Sequence, residues 1–126
     1  MPNGFSSSKE EWKRIEAPLL EIDEVLKDYA KRHHMKLTKN IGYPDFQPAR
    51  FLKWGKDVHR FIEILPENPV IMTFSFWISA TLKTSVKRQS LKRAAPFAEI
   101  RDNLKELLEE GRKLCESWSE HDLTPI

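Results

Sequence analysis

A single cysteine, Cys115, stands in a chain of 126 residues. That excludes an intramolecular disulfide framework and fits a reducing compartment. Long apolar runs are missing as well: none approaches the ~20 residues that a membrane-spanning helix needs. Met1 to Ser8 has neither a basic n-region nor an apolar h-region, so no secretory signal is expected and the cytoplasm is the expected location. Excess charge is absent too. Twenty-one Lys and Arg against 19 Asp and Glu leave a net +2, too little to argue for nucleic acid by itself. No cysteines, histidines and carboxylates recur at ligand spacing. The neighbouring His33 and His34 would sit about 100° apart on a helix, poor geometry for one ion, so no metal or other cofactor is expected.

What is present is an ordinary globular composition, 40% hydrophobic and 32% charged, in a length that can bury one real core. Ser8-Lys9-Glu10-Glu11 reads as a capping box. After it Trp12, Ile15, Leu19, Ile22, Leu26, Tyr29 and His33 recur at steps of three and four, one apolar stripe on a helix ending near residues 33–35. Pro18 falls inside the stripe and predicts a kink or a restart. Residues 35–39 are a weak strand candidate and 40–48 a loop. Three better strands follow over 49–54, 57–65 and 70–82. Phe97, Ile100, Leu104, Leu107, Gly111, Leu114 and Trp118 mark a second helix, with Pro96 at its start and Gly111 allowing another backbone to approach closely. The pattern predicts one domain over 1–126, with 1–7 and 120–126 loose.

From Val70 to Leu82 apolar and polar side chains alternate, which means a strand with one core face and one wetter face. Gly55-Lys56 suits a two-residue hairpin turn, and Pro66 to Pro69 forms a second tight connection. Trp54 then opposes Asp57, Leu52 opposes His59, and Phe61 opposes Phe74. The result is an α+β two-layer sandwich, in which an N-terminal and a C-terminal helix cover one face of a three- to four-stranded antiparallel meander. The other face collects Phe51, Val58, Ile62, Ile64, Ile71 and Trp77. At about 25 cal/mol per Å² of apolar area, leaving six large side chains in water forgoes several kcal/mol, and an exposed patch of this kind usually marks an interface. The expected function is therefore a non-enzymatic protein-interaction module that binds a copy of itself or another protein, in an adaptor, chaperone-like or toxin-neutralising role of the kind small bacterial proteins fill.

Two alternatives come from other classes. In this register Arg50, His59 and Glu63 share the core face, where a histidine and a carboxylate in an aromatic cup can act as acid and base or hold a small ligand. Arg50 and Glu63 are also placed to form a structural ion pair. Cys115 has no histidine partner in sequence and reads as a small hydrophobe. Lys83, Lys87, Arg88, Lys92 and Arg93 form one basic segment without an intervening acid, suited to phosphates. The helix–strands–helix order, with Lys92-Arg93-Ala94 near the start of the last helix, resembles a double-stranded-RNA-binding domain. That resemblance implies duplex RNA as the alternative ligand. The sequence departs from that family at Pro96, in the length of the last strand, and in the acidic first helix with Glu21, Asp23 and Glu24.

Overall fold

The computed structural model describes residues 9–40, 48–82 and 86–125. Ser8 of the expected capping box, most of the 40–48 loop and Lys83 lie outside them. Helix α1 (Lys9–Arg32) contains Pro18 without being interrupted. Ile15, Leu19, Ile22 and Leu26 are fully buried on either side of it, and this packing outweighs one lost hydrogen bond, a loss of about 3 kcal/mol. The helix ends with His34 in the left-handed region (φ 55°). Beyond it, the Met35 amide reaches back 2.8 Å to the Ala30 carbonyl, so the last turn closes on itself.

Six strands follow one another in an antiparallel meander: β1 (Lys36–Asn40), β2 (Ala49–Trp54), β3 (His59–Asn68), β4 (Thr73–Thr81), β5 (Val86–Pro96) and the two-residue β6 (Thr124–Pro125). The expected three or four strands become five full ones, because the basic segment, not counted among the expected strands, supplies most of β5. Strand β4 is long and largely buried, and its second backbone edge needs hydrogen-bond partners that only another strand supplies. The second helix is two, α2 (Phe97–Asp102) and α3 (Leu104–Glu116). Asn103 separates them, its side-chain amide donating to the Glu99 carbonyl at 2.8 Å, which competes with the helical ladder. Residues 120–125, expected to be loose, form a Ser119-capped 3-10 turn over Glu120–Asp122 and then β6, with Leu123 buried between them.

The helices cover one face of the sheet: α1 lies against β1 and β2, α3 against β3 and β4, and α2 against β4 and β5. Strands β2 and β4 present the expected side chains to this core: Leu52, Phe74, Phe76 and Ile78 are buried. Strand β3 is turned over. Trp54 pairs with Arg60, three residues beyond the expected Asp57, and Phe74 pairs with Pro66, five residues beyond the expected Phe61. Both shifts are odd, so each exchanges the faces of β3 relative to its neighbours. A first turn longer than expected, and a bulge between Pro66 and Asn68 beside a second turn displaced by three residues, cause this. Gly55, at φ +97°, opens a connection that runs to Val58. Residues 69–72 form the other turn, with the Val70 amide on Asn68 Oδ1 and Met72 at φ 53°. Ile62 and Ile64 are therefore core residues, each 1% exposed, and not part of the outer face. Gly111 does allow a close approach, but of side chains: a Cβ there would lie 3.1 Å from Ile78 Cγ2 and from Phe76 Cε1. Among the described residues no helix is long and apolar enough to cross a membrane.

Candidate functional site

The face of the sheet turned away from the helices is built by the register itself. Thr38, Phe51, Glu63, Trp77 and Leu91 lie in one line across β1 to β5. Lys36, Lys53, Phe61, Ser79 and Gln89 form the next line, and Leu65, Ser75 and Ala94 share a third. Phe51, Phe61, Leu65 and Trp77 are half-buried and Leu91 is 46% exposed. The two serines are almost fully buried between these larger neighbours. None of the four half-buried residues packs against the helix-side core. Its polar groups are tied within the face. Trp77 Nε1 donates to Ser75 Oγ at 3.0 Å, Ser79 Oγ donates to Glu63 Oε1 at 3.0 Å, and Lys53 Nζ stands 5.8 Å from the centre of the Phe61 ring. Such contacts fix the rings and leave their outer surfaces free.

Of the six residues expected here, Phe51 and Trp77 are on the face. Val58 sits in the β2–β3 connection and packs against the helix-side core. Ile71 is 64% exposed but in the β3–β4 turn. Phe61, Leu65 and Leu91 replace the missing members. Glu63 shares the period-two parity of Phe61 and Leu65, but Arg60 shares that of Ile62 and Ile64, so charge alone does not tell which side of β3 is the wetter one.

Arg50, His59 and Glu63 are not brought together. Arg50 points into the core at 1% exposure, while His59 pairs with Thr81 and shares the outer face with Glu63. The partner of Arg50 is Asp23 of α1, at 2.7 and 3.2 Å, rather than Glu63. Glu16 lies 3.6 Å from the guanidinium and Lys39 Nζ 3.1 Å from Asp23. Burial pushes the Asp23 carboxyl up, but hydrogen bonds and charge from Arg50 and Lys39 outweigh it and hold the group below its ordinary value.

A second polar cluster joins α1 to α3. The Tyr29 hydroxyl donates to Glu109 Oε1 at 2.7 Å and accepts from Arg112 Nε at 2.8 Å. Arg112 also holds both Glu109 oxygens and Glu116. Burial, then the hydrogen bond to Glu109, pushes the Tyr29 hydroxyl up to about 12. The Tyr29 and Arg112 hydrogen bonds hold Glu109 down at about 2.

The basic segment is largely neutralised from within. Arg88 lies over the Trp118 ring at 4.6 Å, Lys92 pairs with Glu110 at 3.2 Å and Arg93 with Glu99 at 3.0 Å. Lys87 lies on β5 and pairs with Thr124 across the ladder, and Lys83 is outside the described residues. Cys115 is buried, its thiol donating to the Ser79 carbonyl at 3.5 Å. Among the described residues no group of three or more histidines, cysteines and carboxylates is placed to hold a metal ion. Comparison with protein-family models, with curated proteins and with solved structures finds no match for this chain.

Proposed function

We propose that this chain is a non-enzymatic protein-binding module that docks through the outer face of its sheet. One observation carries the reading. Phe51, Phe61, Leu65, Trp77 and Leu91 form a contiguous apolar cluster across four strands, on the side away from all three helices. A patch of this kind gains free energy from being covered, and tryptophan near its middle is the residue type over-represented among interface anchors. The edges of the sheet are poorer docking sites, because β1 carries the exposed Lys36 and Lys39 and the part of β5 beyond β6 carries Arg88, Lys92 and Arg93. The split between Arg50 and the His59–Glu63 side supports binding over acid–base catalysis.

Hydroxyl-radical footprinting of the purified chain, read by mass spectrometry at Phe61 and Trp77, tests the reading together with Trp77→Arg. Both rings should be reactive in dilute monomer and protected in the complex. Trp77→Arg should abolish the complex while circular dichroism stays unchanged. Rings that are protected in a dilute monomer would mean that the chain covers this face itself, and the reading would fall.

A further inference from the structure

Four residues at the middle of the outer face make a block with a definite symmetry. Lys53 pairs with Phe61, and Phe51 pairs with Glu63. On adjacent strands these are the four corners of a rectangle, with the two aromatic rings on one diagonal and the two opposite charges on the other. Neighbouring strands are about 4.8 Å apart and alternate residues about 6.8 Å apart along a strand. A two-fold axis lying in the plane between two facing sheets, drawn across the charged diagonal, sends Lys53 onto the place of Glu63 and Glu63 onto the place of Lys53. The same axis runs close to the aromatic diagonal, so each phenyl ring falls near its own mate. Sheet strands then cross steeply, within the range known for orthogonal sheet packing.

We infer that the occupant of this face is a second copy of the chain, held by reciprocal Lys53–Glu63 pairs around stacked Phe51 and Phe61 rings. The inference rests on the docking role proposed above for the same face. Charge supports this occupant over an unrelated one. Lys36 and Lys53 oppose each other directly on the ladder, and like charges in that position repel. Among the described residues neither makes an ion pair with a carboxylate, so an approaching Glu63 relieves an existing repulsion. An isologous contact also needs only one patch and closes at two copies. Nucleic acid fits the block less well, because Glu63 stands between the rings and repels phosphate.

The size of the patch sets the strength. Four strand spacings span about 20 Å and three alternate residues about 14 Å. That gives a flat area well under the ~800 Å² per partner of a standard interface. The dimer is therefore weak and concentration-dependent, as small transient interfaces are.

Sedimentation of the whole chain from ~1 to ~500 µM tests this, with circular dichroism as the check on folding for each variant. Wild type should pass from one to two copies with rising concentration. Lys53→Glu and Glu63→Lys should each weaken association by about tenfold or more, since each breaks two pairs. The exchanged double variant, Lys53→Glu with Glu63→Lys, should recover most of the wild-type strength. A chain that stays monomeric throughout overturns the inference, and so does a double variant no stronger than the singles. Footprinting separates that failure from failure of the docking role. A monomer with reactive Phe61 and Trp77 still offers an open face to another protein, whereas a monomer with both protected offers none.

Discussion

Phe74 shows how much a single side chain contributes here. It is fully buried on β4 and meets the Phe97 ring edge-on at 5.3 Å. Phe74→Ala should cost about 3–5 kcal/mol, the loss seen when a well-packed aromatic site is emptied, read as a lower denaturant midpoint. Gly111 illustrates the opposite constraint. Alanine is the better helix former by about 1 kcal/mol, yet its Cβ would press on Phe76 and Ile78, both fully buried and without room to yield. Overpacking of this kind costs about 1–3 kcal/mol, so Gly111→Ala should destabilise in the same measurement despite the gain in propensity. At Cys115 burial pushes the thiol up more than the Arg60 guanidinium pulls it down. Since only the thiolate attacks, the native protein should react with thiol reagents far more slowly than the unfolded chain.

Helices and strands are joined by two polar clusters that behave differently. Asp23 and Arg50 tie α1 to β2, and both are buried. Asp23→Leu takes both hydrogen-bonded oxygens from the guanidinium, leaving it only Glu16 at 3.6 Å and the Ala49 carbonyl, and should cost about 3–5 kcal/mol, whereas Asp23→Leu combined with Arg50→Met should cost clearly less than the sum of the two single changes. A double-mutant cycle by urea unfolding measures the difference. The same pair sets an acid limit. The carboxyl of Asp23 titrates below its ordinary 3.8 in the folded chain. Its contribution is present above that pH and lost as pH falls through the lower folded value. Tyr29, between α1 and α3, sets an alkaline one. The hydroxyl is raised from 10.0 to about 12, so its contribution is complete below pH 10.0 and lost as pH rises towards 12. In an ultraviolet titration, one of the two tyrosines should ionise late, and Tyr29→Phe should remove that step.

The whole molecule places its charges unevenly. Acidic side chains of α2 and α3 fold back on the basic strand β5, which leaves little positive field to meet a polyanion. Binding to duplex RNA should accordingly be weak at about 150 mM salt and fall steeply as salt is added. Replacing Lys87, Arg88 and Lys92 together by Gln should leave the fold intact and cost on the order of 1 kcal/mol, since exposed pairs and a cation–π contact are each worth little. Tight binding to RNA lost in that triple variant, followed by fluorescence anisotropy, would move the functional reading from the sheet face to the strand β5.

The amino-acid sequence by itself determined the two amphipathic stripes, the alternation of β4, and hence an α+β sandwich with one helix-covered face. These features are local: a period of 3.6 or 2 is written in consecutive side chains and survives any choice of turn. Tertiary structure decided the rest. Strand β3 is apolar at both parities, Phe61 and Leu65 on one side and Ile62 and Ile64 on the other, so its own residues cannot say which set is buried. That choice was made by the length of the turn before it and by the bulge between Pro66 and Asn68 after it, and turns and bulges set register across strands rather than within one. Strand β5 was hidden for a related reason. Its residues are basic and lack alternation, and they are extended because the exposed edge of β4 needs a partner. The membership of the candidate site followed from both decisions: Phe51 and Trp77 were legible from their own strands, whereas Phe61, Leu65 and Leu91 join them only once the register is known.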